Sequence, residues 1–155
     1  MKRTALKAAA LQLNKYVVTE YSYKINLGAK PSTKEQPTTY QIKVDFDVKC
    51  SKTDPNKFLI TMIIELNKKP SYFGQNRYQL SLNLMGEFQV AEGLDHTTKG
   101  KLVTNNGSAI LYGIARGMVA QFTGGLGTER FILPVVNLLA IAQAKDKKSK
   151  TVSRR

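Results

Sequence analysis

One histidine, His96, and one cysteine, Cys50, are the only residues of their kinds in this 155-residue chain, so nucleophilic or metal chemistry must be built around them or around carboxylates. A histidine-based triad or a metal cluster needs partners within bonding reach, and His96 stands alone in a polar stretch. Cys50 has no second cysteine to bridge and no histidine cluster with which to hold zinc. It closes an apolar row and reads as a small core residue. Asp45 and Asp47 share one face of a strand, the common setting of surface charges rather than of an acid and base whose pKa values are driven apart. Residues 124–130, GGLGTER, have the glycines of a phosphate loop. They follow a helix rather than a strand, and they lack the Lys-Ser/Thr ending that grips phosphate. The expectation is a protein that is not an enzyme, with no catalytic residue, no metal and no cofactor.

Binding is what remains. The net charge of +13 invites a nucleic-acid reading, but most of it sits at the two ends. Lys2, Arg3, Lys7 and Lys15 precede residue 16, and Lys145, Lys147, Lys148, Lys150, Arg154 and Arg155, less Asp146, follow residue 144, leaving only +4 between. Such ends hold phosphate unselectively and in a salt-sensitive way, and they also aid solubility. A basic nucleic-acid-binding adaptor acting through both termini therefore stands as an alternative. Against it, the tyrosines and phenylalanines of the strands fall mostly on apolar faces instead of forming a base-stacking platform. The single cysteine suits a reducing compartment, and no stretch has the quality of a signal peptide or a membrane span. A cytoplasmic location is expected.

The elements that would position a binding surface are legible as periods. Residues 40–50 alternate strictly, with Tyr40, Ile42, Val44, Phe46, Val48 and Cys50 on one face. Residues 78–90 do the same through Tyr78, Leu80, Leu82, Leu84, Phe88 and Val90, Met85 interrupting the polar side. Residues 57–66 are apolar on both faces, as suits a central strand. An opening strand places Val17, Tyr21, Tyr23, Ile25 and Leu27 together. Asp54-Pro55 marks a tight turn, and the longer links 28–39 and 68–77 carry Pro31, Pro37 and Pro70.

From about Asn105 the period becomes helical, with Ile110, Ile114, Met118 and Phe122 in one row flanked by Leu111, Ala115 and Val119. Asn105 or Asn106 would cap this helix, and Pro134 would open a second one. The fold class expected is α+β, a four-stranded antiparallel sheet with two C-terminal helices packed on one face. Residues 16–144 would form the domain, residues 1–15 a basic N-terminal segment compatible with helix, and residues 145–155 a basic flexible tail.

Two features point to contact surfaces. Gly113 and Gly117 each cost the helix about 1 kcal/mol relative to alanine, which close approach of another backbone would offset. Together with Arg116 and Ala120 they are the expected oligomer interface. The segment 131–144 holds Phe131, Ile132, Leu133, Val135, Leu138, Leu139 and Ile141 with almost no polar side. Apolar surface beyond a few hundred Å² marks an interaction site. These residues and Met85 are the expected client-binding set.

The block MGEFQVAEG at 85–93, followed by residues 105–138, resembles the SecB-type export chaperones. Gly86 and Phe88 match that family's Gly-x-Phe element on the fourth strand. Ile110, Leu111, Ala115 and Arg116 match its first-helix segment, and Leu133, Pro134 and Asn137 its Leu-Pro-Pro-x-Asn-Phe-like segment. The resemblance implies an ATP-independent holdase for unfolded or extended polypeptides, working in protein export. It also implies a homotetramer built as a dimer of dimers, client grooves lined by apolar side chains, and the SecA translocase as partner. The chain departs from the pattern at Gly113, where proline is usual, and at Gly117, where an acidic residue is usual. It is also basic where the export chaperones are acidic, which fits a SecB-like relative serving a toxin-antitoxin system or a mobile element. A purely structural oligomer that buries all its apolar surface is a further alternative.

Overall fold

Strict alternation in the sequence becomes a continuous four-stranded sheet in a computed structural model that describes residues 9–30, 39–127 and 129–152, the last five as backbone alone. Its strands are β1 (Leu11–Ile25), β2 (Ile42–Cys50), β3 (Lys57–Leu66) and β4 (Tyr78–Val90), in the order β1-β4-β3-β2 and all antiparallel. The short helix α1 (Pro70–Phe73) lies in the link between β3 and β4. The helices α2 (His96–Leu102) and α3 (Ser108–Gly125) are joined by a wider π-helical turn, Val103–Gly107, and α4 (Leu138–Val152) is the last described element. The expected Asp54-Pro55 turn is held by the Asp54 carboxylate, which accepts from Asn56 N at 2.8 Å.

The core forms where one sheet face meets the helices. Ile60, Met62, Ile64 and Leu66 of β3 and Leu80, Leu82, Leu84, Phe88 and Val90 of β4 are buried against Leu111, Ala115 and Val119 of α3. Two glycines set the separation of these layers. A Cβ on Gly107 would lie 2.8 Å from Ile60 Cδ1, and one on Gly86 would lie 2.9 Å from the Phe88 ring and 3.2 Å from Leu111 Cδ1. The helix can therefore rest on the sheet only where these positions lack a side chain.

Four local expectations change. Strand β1 carries register shifts between Leu13 and Lys15 and between Val18 and Glu20. Each extra residue reverses which side chains face inward, so Val18, not Val17, joins Tyr21 and Ile25 at the core, and Val17 is left 53% exposed. β1 also starts within the segment assigned to a basic N-terminal region, so residues 11–15 are strand, while residues 1–8 lie outside the described residues. The helical stretch begins at His96 because the Asp95 carboxylate accepts from Thr98 N at 3.0 Å. Asn105 and Asn106 therefore fall inside it instead of capping it. Finally, Leu111, Ala115 and Val119 form the buried row of α3, and Ile110 is exposed at its flank.

Pro134 opens no helix either. Asn137 caps α4, its side-chain oxygen accepting from Ala140 N at 3.0 Å. Helix α4 then runs through residues 145–152, which were expected as tail; residues 153–155 lie outside the described residues. The cause is visible at Lys145, whose ammonium donates to Phe46 O at 2.5 Å and pairs with Asp45. This contact ties α4 at one point to β2, the edge strand of the sheet.

Phe122 at the end of α3 packs on the rings of Tyr21 and Tyr23, with centroids 5.0 and 4.6 Å away. The Tyr21 hydroxyl is buried there without a hydrogen-bond partner among the described residues. Burial, with a smaller contribution from Tyr23, pushes its pKa from 10.0 up to about 12. Because the folded protein holds this proton more tightly than the unfolded chain, the stability tied to it is complete below pH 10 and is lost as pH rises toward 12. Tyr21→Phe should remove that alkaline loss. It should also raise stability at neutral pH by about 1 kcal/mol, because an unpaired buried hydroxyl disappears. Urea unfolding of both proteins across pH 8–12 measures this.

Candidate functional site

At the end of the sheet where β3 gives way to β4, the chain must turn without stranding its polar groups. Asn67 does so in the left-handed region, φ 50°, which asparagine tolerates better than most residues. Its backbone N–H donates to Gln41 O at 2.8 Å, its side-chain oxygen accepts from Gln41 N at 2.9 Å, and its side-chain nitrogen donates to Tyr78 O at 2.8 Å. One buried amide thus ties together the ends of β2, β3 and β4, and it fixes Tyr40 and Tyr78 on the same end of the sheet.

The segment 129–137 crosses beside these tyrosines as an irregular strap, and four side chains hold it by its backbone. Tyr78 donates its hydroxyl to Glu129 O at 2.5 Å, and the Thr123 hydroxyl accepts from Phe131 N at 2.9 Å. Arg116 Nε donates to Leu133 O at 2.8 Å, and Tyr112 donates its hydroxyl to Pro134 O at 2.7 Å. Burial raises the pKa of the Tyr112 phenol, with the Arg116 charge acting in the opposite sense, so it stays a protonated donor. With its carbonyls taken by side chains, the strap has no call for the helix that its apolar residues suggested.

Strap and sheet end enclose a cleft of about 190 Å³. Tyr40, Leu66, Tyr78 and Phe131 give it an apolar wall, the Phe131 ring standing edge-on to Tyr40 at 5.9 Å and tilted to Tyr78 at 6.4 Å. Asn67, Gln75 and Asn76 supply amides, and Lys30, Arg77, Arg130 and Glu129 supply charge. Pockets that enclose a whole small molecule start at roughly 300 Å³. This one suits one or two side chains of something longer.

The residues expected from the sequence are distributed unevenly. Phe131 lines the cleft, whereas Leu133 and Leu138 are buried in the core and Ile141 is half-buried against it. Ile132, Val135 and Leu139 are 57%, 83% and 49% exposed. Met85 lies on the other face of the sheet, between Val17 and Thr61. On α3, Gly113 and Gly117 are exposed, and a Cβ at either would meet nothing within 4 Å. Ala120 is half-buried, and Arg116 is turned to the strap.

Tyr40, Asn67, Arg77, Tyr78 and Arg130 were not among the site residues expected from the sequence. A signal for the tyrosines existed: in an up-and-down meander the starts of the second and fourth strands fall at the same end, so Tyr40 and Tyr78 had to lie at one end of the sheet.

No protein-family model matches the sequence. An uncharacterized protein of Methanocaldococcus jannaschii is 24% identical over 129 residues, 83% of this chain and 80% of the other. Among solved structures, the SecB-like chaperone Rv1957 of Mycobacterium tuberculosis, bound to a ChAD peptide from the HigA1 antitoxin Rv1956, superposes with a TM-score of 0.60. The alignment covers 83% of this chain and 91% of Rv1957 at 17% identity. The antiparallel sheet with helices on one face, the glycines that seat α3 on it and this superposition together establish that the chain has the SecB-like fold.

Proposed function

We propose that this protein is an ATP-independent holdase that binds extended, unfolded polypeptides, acting without enzymatic turnover. The observation that carries the reading is the aromatic cleft between the strap and the sheet end, on a fold shared with a chaperone whose partner is an antitoxin peptide. Such a cleft takes one or two side chains at a time, and the exposed Ile132 and Val135 on the strap and Leu139 on α4 offer further apolar contact away from it. Weak contacts of this kind gain affinity when one chain engages several of them together. We therefore place the working form as an oligomer joined through the open α3 face at Gly113, Gly117 and Ala120. Clients of the antitoxin type fit the basic chain better than export through SecA, since a docking surface built on negative charge is not what its composition provides.

The test is aggregation of a denatured client with and without the chaperone, in the absence of nucleotide. Suppression is expected at a few-fold molar excess. The pair Tyr40→Ser and Phe131→Ser should weaken binding of a labelled extended peptide at least tenfold, since two partly buried rings contribute about 1.5 kcal/mol or more between them. A wild-type protein that neither delays aggregation nor binds such peptides would sink the proposal.

A further inference from the structure

The charged groups of the cleft are unevenly matched. Lys30, Arg77 and Arg130 line it against one carboxylate, Glu129. No ion pair joins any of these four to a partner of opposite charge at 4.0 Å or less among the described residues. Arg77 gives one guanidinium bond to Leu27 O at 3.3 Å and keeps its other donors among the described residues. Arg130 lies across Gly124, its Nε 2.9 Å and its Nη2 3.3 Å from where a Cβ would stand, so the glycine leaves room for the guanidinium.

Guanidinium groups beside an aromatic wall accept carboxylates in a forked, paired geometry and tolerate partial desolvation better than ammonium does. A client side chain carrying positive charge would instead meet three like charges around a recess of low dielectric. Resting on the holdase reading above, we infer that the cleft selects client segments in which an apolar or aromatic anchor is flanked by aspartate or glutamate. The anchor enters between Tyr40, Tyr78 and Phe131, and the flanking carboxylates meet Arg77, Arg130 and Lys30 at the rim.

Three labelled peptides with one phenylalanine-leucine anchor, flanked by glutamate, glutamine or lysine, test this by fluorescence anisotropy on the full chain. At 50 mM salt the glutamate peptide should bind about tenfold more tightly than the glutamine peptide, as expected from a few partly exposed ion pairs, with the lysine peptide weakest. At 300 mM salt the three should converge. Lys30→Gln with Arg130→Gln, both exposed positions, should abolish the ranking while the glutamine peptide still binds. Lys57→Gln with Lys101→Gln, exposed at the far end of the sheet and on α2, should leave it intact. Equal affinities in wild type, a preference for lysine, or equal loss from the distal pair would overturn the selectivity while leaving the holdase in place. Failure of all three peptides to bind would remove both.

Discussion

Leu133→Ala should lower the unfolding free energy by about 2–5 kcal/mol, the range for truncating a fully buried leucine. Leu133 has no solvent-exposed surface, and its own carbonyl is held by Arg116. The cost is therefore a cavity at the point where the strap is pinned to the core. For a chain of this length such a loss lowers the melting temperature by roughly 4–20 °C. Val135→Ala, two residues on and 83% exposed, should stay within about 0.5 kcal/mol of wild type. Denaturant unfolding of the pair separates two roles that the sequence merged. If Leu133→Ala keeps full stability and only client binding falls, the buried position of this residue is refuted.

That pair also shows where the sequence was readable and where it was not. Period-two alternation in residues 42–50 and 78–90 gave the strands and their inner faces because each side chain there has one of two directions, although Cys50, read as a core residue, is exposed at the end of its row. β1 obeys the same rule only between its register shifts, and a shift leaves no mark on composition, so Val17 was placed on the wrong side. On α3 two adjacent rows were both apolar, and the choice between them rested on Gly107, whose missing side chain turns the Leu111 row toward Ile60. The strap was unreadable for a different reason. Its conformation is fixed by Tyr78, Tyr112, Arg116 and Thr123, residues 8 to 51 positions away in the chain, and nothing local announces those bonds. Apolar content at 131–141 did not separate the two roles of that segment, part of which faces the protein's own core and part of which faces outward. The cleft charge was similarly hidden, because Lys30, Arg77 and Arg130 come from three separate links and meet only in the folded chain.

Gly113 and Gly117 allow opposite outcomes from one substitution. In the isolated subunit a methyl group at either position meets no neighbouring atom within 4 Å. Alanine at both should then raise stability by about 2 kcal/mol through helix propensity alone, and the melting temperature by roughly 4–8 °C. Yet two unfavourable glycines on one open helix face have no use in a solitary subunit. In an assembly where a second copy's backbone rests on this face, added side chains would force the helices apart. We expect the second case. Gly113→Leu with Gly117→Leu should retain the far-ultraviolet spectrum of the folded protein but sediment as a smaller species than wild type. Because one long client would then engage fewer clefts at once, its affinity should drop by at least tenfold, while short peptides that fill a single cleft bind as before. Unchanged mass together with a higher melting temperature would show that the face is bare and that assembly, if it occurs, uses another surface.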